Sequence, residues 1–141
     1  MSELQTSRPQ RVRDVEIRTS ADAEQVGLLR SFAVDVAMRM DFDLDVLEDL
    51  RVLVDEACSL LVRLSRPDSM LICRLEPGAE GLWMHLLVEA DQPTPPSADP
   101  LGWQIIRALA DSAQEQLTTA ETGYRVSLEL LAGHSGTDRG E

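Results

Sequence analysis

The 141-residue chain contains no lysine, only five aromatic residues and only two cysteines. Its 25 acidic side chains outnumber its 13 arginines, which gives a formal net charge of −12. Such a charge repels the phosphate backbone, so we expect no direct nucleic-acid binding and favour partners with cationic surfaces. No apolar run approaches the roughly 18 residues of a membrane-spanning helix, so we also expect no membrane insertion.

The two cysteines give no sign of a metal site. Cys58 and Cys73 lie in apolar segments and match no metal-ligand spacing, so we expect reduced thiols in the core, with a disulfide as the less favoured alternative. Residues 1–5 lack the pattern of a signal peptide, and we therefore expect a cytoplasmic protein. His85 lies in an apolar strand pattern, which favours a packed or half-exposed histidine over a metal ligand.

The pattern of apolar residues predicts one domain between two tails. Polar segments at 1–11 and 133–141 are predicted to be flexible, which leaves 12–132 as the domain. The predicted order is a strand, two helices, a hairpin, a helix and a second hairpin, at 12–19, 23–40, 43–64, 70–76 with 82–90, 101–113, and 115–119 with 124–131. This order predicts an α+β two-layer sandwich, with an antiparallel or mixed sheet and its helices on one face.

The second helix has the strongest periodicity in the chain. Apolar residues recur at alternating steps of three and four, which is typical of a helix with one buried face: Leu47, Leu50, Val54, Ala57, Leu61 and Leu64. Residues 91–100 contain four of the seven prolines, so this segment cannot form a helix interior or a central strand.

Two stretches resemble a known family. The sequence of residues 53–62, Leu-Val-Asp-Glu-Ala-Cys-Ser-Leu-Leu-Val, resembles the Glu-bearing helix of the anti-sigma-factor serine kinases, a bacterial branch of the GHKL ATPase superfamily. Residues 100–111 resemble the family's Gly-x-Gly segment and the helix that follows it to an Asp. The resemblance runs in the family's order from Val12 to Leu131, and it implies a Bergerat-type (GHKL-like) HATPase domain.

The resemblance also implies a nucleotide site that has lost several of its groups. Glu56 matches the catalytic base, although a solvated glutamate on an amphipathic helix is an equal reading. Leu60 replaces the Asn that binds magnesium, and an aliphatic side chain offers no oxygen to this cation, so no metal ligand is expected. Asp91 falls one residue after the simplest register for the adenine-binding Asp. Gly102 is the only glycine left in the phosphate cradle, because Pro100 lacks an N–H.

The resemblance implies a function in transcription control. We expect an anti-sigma factor that sequesters an alternative sigma factor, is countered by a small anti-anti-sigma protein and forms a homodimer. We expect little or no kinase activity and no cofactor, with Mg-ATP bound only if the altered site still functions. The alternatives are an active serine kinase that acts on the anti-anti-sigma partner with Glu56 as base, or a scaffold module without either activity. For the sigma-binding face we favour the exposed side of the first helix near Arg30.

Overall fold

The computed structural model describes residues 12–133, so the predicted tails at 1–11 and 133–141 lie outside the described residues apart from Gly133. Eight elements make up this part of the chain: β1 (Val15–Ser20), α1 (Val26–Arg39), α2 (Leu44–Leu64), β2 (Met70–Pro77), β3 (Leu82–Ala90), α3 (Pro100–Leu109), β4 (Ser112–Thr119) and β5 (Tyr124–Ala132). Short 3-10 turns at Ala23–Gln25 and Pro96–Ala98 precede α1 and α3.

The five strands form one sheet in the order β1-β2-β3-β5-β4, and every neighbouring pair is antiparallel. The predicted α+β sandwich is therefore confirmed, with the antiparallel form of the sheet. Alternate residues of the two central strands are buried on the helix side: Leu82, Met84, Leu86, Val88 and Ala90 on β3, and Val126, Leu128, Leu130 and Ala132 on β5. This alternation is the expected result of packing one face of a sheet on a helical layer.

Helix α2 is the centre of the helical layer, because it packs on the sheet and touches both other helices. Leu50, Leu53 and Leu61 are at most 1% exposed. Burying one such side chain contributes about 1.5–3 kcal/mol, so this helix supplies a large part of the core energy. The predicted periodicity is confirmed, except that Leu64 at the helix end is only half-buried.

The predicted helix at 101–113 is wrong at its C-terminal end. Helix α3 ends at Leu109, Ala110 is extended, and the N–H of Asp111 donates to the carbonyl of Leu131 at 2.8 Å. Residues from Ser112 onward pair with β5, so ladder hydrogen bonds override the apolar pattern there. Gly102 and Ile106 are the buried residues of the helix, whereas Ala108 is exposed and Ser112 lies in β4.

Other boundaries differ by a few residues. Strand β1 begins at Val15 rather than at Val12, and the first predicted helix opens as a 3-10 turn. Asp22 and Asp43 stand at N-cap positions, but neither side chain makes a capping hydrogen bond. No helix in the described part of the chain combines the length and the apolar run needed to cross a bilayer.

Both cysteines are free and buried, as predicted for core thiols. Burial raises the pKa of Cys73 to about 12 and raises that of Cys58 further. Because the thiolate is the reactive form, neither side chain is set up for redox or nucleophilic chemistry in the folded protein.

The thiols provide a test of this core. A thiol reagent at pH 8 should label native protein far more slowly than protein unfolded in urea. The free energy of unfolding should also fall as pH rises from about 9 toward 12, because the unfolded chain can release thiol protons that the folded chain retains. Labelling of native protein at the unfolded rate would contradict the buried placement of Cys58 and Cys73.

Candidate functional site

Helices α2 and α3 pack tightly at Gly102, where the family resemblance places the nucleotide. Glu56, Leu60 and Arg63 share one face of α2, because they are spaced by four and three residues. A Cβ built on Gly102, in the first turn of α3, would lie 2.8 Å from Oε2 of Glu56 and 3.1 Å from Cδ1 of Leu60. The structure thus brings Glu56, Leu60 and Gly102 together, and the close helix approach explains the glycine without any phosphate.

Asp99 fixes the start of α3. Its Oδ1 accepts a hydrogen bond from the N–H of Gly102 at 3.1 Å, and its Oδ2 accepts one from Nη2 of Arg63 at 2.8 Å. The backbone N–H of Gly102 and then the Arg63 guanidinium hold the pKa of this carboxyl below its usual range. Asp99 is therefore an N-cap and an ion-pair partner at once.

Arg63 also approaches the predicted base. Its Nη2 lies 3.8 Å from Oε2 of Glu56, whose side chain is 25% exposed. We call Glu56, Arg63 and Asp99 the Arg63 cluster. The sequence interpretation missed Arg63 and Asp99, although two signals were present: Arg63 follows Glu56 by seven residues on a helix, and Asp-Pro is a typical helix start.

The proline-rich segment, residues 94–99, lies beside this cluster. Residues of the segment and of α2 line an open cavity of about 140 Å³, formed by Leu60, Arg63, Leu64, Thr94, Pro95, Pro96, Ala98 and Asp99. Ligand pockets usually measure roughly 300–1,000 Å³, so this volume is small for a nucleotide. The segment is tied to β4 as well, because Glu115 accepts hydrogen bonds from the N–H and the hydroxyl of Ser97 at 2.8 and 2.7 Å.

The residues at this position do not fit a magnesium–nucleotide complex. Leu60 is 1% exposed and presents only methyl groups. Within residues 12–133 no group of three or more His, Cys, Asp or Glu side chains is arranged to hold a metal ion. The carboxylate of Glu56 faces a guanidinium and a close-packed glycine.

Asp91 and Arg30 have other neighbours. Asp91 follows β3 with 61% of its side chain exposed, and its carboxylate lies 4.0 Å from the guanidinium of Arg66. Nη1 of Arg30 on α1 contacts both carboxylate oxygens of Asp55 on α2, at 2.7 and 2.9 Å. The two helices are thus joined by an ion pair at the position suggested for sigma binding.

The face of the sheet opposite the helices, here called the outer face, is covered by no helix of residues 12–133. One row of side chains crosses all five strands there: Glu16, Arg74, His85, Glu129 and Gln114. Nε2 of His85 lies 3.1 Å from Glu76 and its Nδ1 lies 3.2 Å from Glu129, which confirms a half-exposed histidine. The next row contains half-buried Ile72 and Leu87. The outer face is concave, and the hollow in it has a volume of about 620 Å³.

Comparison with known proteins provides the family. No protein-family model matches the chain. A relative named anti-sigma-F factor RsbW, found in two strains of Mycobacterium tuberculosis, is 32% identical over 114 residues. This match covers 80% of the present chain and 68% of the relative. Together with the α+β sandwich and the Glu-bearing helix, this similarity shows that the chain belongs to the family of RsbW-type anti-sigma factors.

Proposed function

We propose that this anti-sigma factor sequesters an alternative sigma factor by stoichiometric binding and releases it when a small anti-anti-sigma protein competes. The family membership supports the sigma factor as partner. The net charge of −12 suits a partner whose own surfaces bind nucleic acid or polymerase and are therefore basic. This role would be carried out in the cytoplasm.

The observation that most supports control by binding is Leu60 in place of a metal ligand, packed against Gly102. Loss of one group that stabilises a transition state costs roughly 3 kcal/mol. Two such losses, of the metal ligand and of phosphate donors, would lower a phosphoryl-transfer rate by roughly 10⁴-fold. We therefore propose a pseudokinase that needs no cofactor.

Capture from native cells tests the main role. Affinity purification of the tagged full-length chain should recover a sigma factor in about equimolar amount, with or without a small competitor. Recovery of the chain alone would favour the scaffold reading, in which the fold is retained without sigma binding.

Nucleotide dependence distinguishes a pseudokinase from an active kinase. Mg-ATP should leave the melting temperature of the protein and its affinity for sigma unchanged, because the cavity beside Leu60 is small. An increase in melting temperature that disappears with EDTA or in Glu56→Gln would instead support the alternative, a serine kinase with Glu56 as base.

Arg30 is the proposed contact on α1. Replacing Arg30 with Glu should weaken sigma binding roughly tenfold or more, as truncating an interfacial charge pair does. This substitution also places a carboxylate beside Asp55, so a change of melting temperature is expected and does not count for or against the proposal.

Two variants separate binding from stability. The exchange Arg30→Glu with Asp55→Arg keeps an ion pair between α1 and α2, and it should restore the melting temperature while sigma binding stays weak. Arg39→Glu, which disrupts the exposed pair of Arg39 with Asp35 on the same helix, should leave binding unchanged. Full binding by the exchanged pair would remove Arg30 from the interface.

We also propose a homodimer that forms through the outer face. The outer face combines half-buried Ile72 and Leu87 with arginines and glutamates in similar number, so two copies can approach there despite their overall charge. The net charge of −12 on the whole chain opposes self-association through its other surfaces.

One substitution in the sheet and one in the helical layer test whether the homodimer forms through the outer face. Leu87→Asp should reduce the mass measured by light scattering from twice 15.6 kDa to the mass of one chain. Val52→Asp, at a site 51% exposed on α2, should leave the mass at the dimer value. A monomeric wild-type protein, or a Leu87→Asp variant that stays dimeric, would contradict this interface.

A further inference from the structure

The Arg63 cluster contains one cation between two anions. The guanidinium of Arg63 lies 2.8 Å from Oδ2 of Asp99 and 3.8 Å from Oε2 of Glu56. The family resemblance implies that the related kinases bind a magnesium ion beside the position of Glu56. It also implies that they bind a phosphate at the start of the helix that contains Gly102 here. Here a guanidinium has the position beside the base, and a carboxylate has the position at the helix start.

The position of Asp99 is suited to an anion. The carboxylate of Asp99 accepts the N–H of Gly102 in the first turn of α3, as a bound phosphate oxygen would. Since Pro100 has no N–H, Gly102 is among the few donors available at this helix start. Asp99 therefore already accepts the Gly102 N–H, a hydrogen-bond donor that an external phosphate would need.

The charges of the cluster oppose a further anion. One guanidinium and two carboxylates give a formal charge of −1, so a triphosphate would meet net repulsion rather than a neutralising cation. If a triphosphate displaced Asp99 from Arg63, three anionic groups (the triphosphate, Glu56 and Asp99) would surround one arginine.

The segment of residues 94–99 beside the cluster is anchored at two residues, Ser97 and Asp99. Asp99 connects it to α2 through Arg63, and Ser97 connects it to β4 through both oxygens of Glu115. Pro96, which precedes Ser97, is buried, and the N–H groups of Ala98 and Asp99 donate to the carbonyls of Pro95 and Pro96. All of these contacts are made by the chain itself.

We propose that the Arg63 cluster is an internal substitute for a nucleotide: Arg63 neutralises Glu56 in place of a metal cation, and Asp99 occupies the start of α3 in place of a phosphate. The segment of residues 94–99 is consequently held closed over α2 without any ligand. This inference deepens the proposed loss of nucleotide dependence, and it does not depend on which partner the protein binds.

Hydrogen exchange in the isolated full-length protein tests the proposal. The amides of Ser97, Ala98, Asp99 and Gly102 should be protected without nucleotide, and Mg-ATP should not slow their exchange. Arg63→Met keeps the aliphatic stem and removes the charge, while Asp99→Asn retains a capping oxygen and removes the charge. Each variant should speed exchange of these amides roughly fivefold or more while exchange in α2 stays unchanged.

Arg39→Met is the matched control, because it breaks an exposed arginine–aspartate pair on α1 far along the chain from the segment. It should leave the four amides at the wild-type rate. Wild-type exchange in both Arg63→Met and Asp99→Asn, or slowing by Mg-ATP in the wild type, would overturn the proposal. Since no partner is present in this experiment, its result is independent of whether a sigma factor is captured from cells.

Discussion

Burial of α2 between the sheet and the two other helices is the constraint on which the rest of the structure depends. Helix α2 contributes five buried leucines to the core, so its rotation about its own axis is fixed. That rotation directs Asp55 to α1 and directs Glu56, Leu60 and Arg63 to α3. The ion pair near the proposed sigma-binding face and the Arg63 cluster are therefore set by the same packing, and a change that rotates α2 would alter both.

Periodic apolar patterns were sufficient to predict the elements whose burial is one-sided. Strands β2 and β3 and helix α2 lie where the sequence placed them, because their alternations reflect a single packed face. The end of α3 could not be obtained in this way. Ser112 and Ala113 continue a pattern compatible with a helix, and only pairing with β5, which lies later in the sequence, makes them part of a strand.

The site was predictable in its backbone but not in its charges. The resemblance placed Glu56, Leu60 and Gly102 on two helices, and their contact follows once those helices pack. Arg63 and Asp99 were missed because they are 36 residues apart, and no local rule connects an arginine late in one helix with the cap of another. Asp91 was compared with the adenine-binding Asp from strand register alone. Its carboxylate lies beside Arg66, and the sequence pattern did not predict this neighbour.

The small cavity under the proline-rich segment has an energetic consequence. A partner exchange that consumes ATP can be driven in one direction, whereas the proposed exchange, which uses no ATP, runs at equilibrium. In that proposed control, the amount of free sigma factor is set by mass action, from two dissociation constants and three total concentrations. Such a switch behaves as a titration: sigma activity stays low until the proposed competitor exceeds the anti-sigma factor, and it becomes low again when the competitor concentration falls.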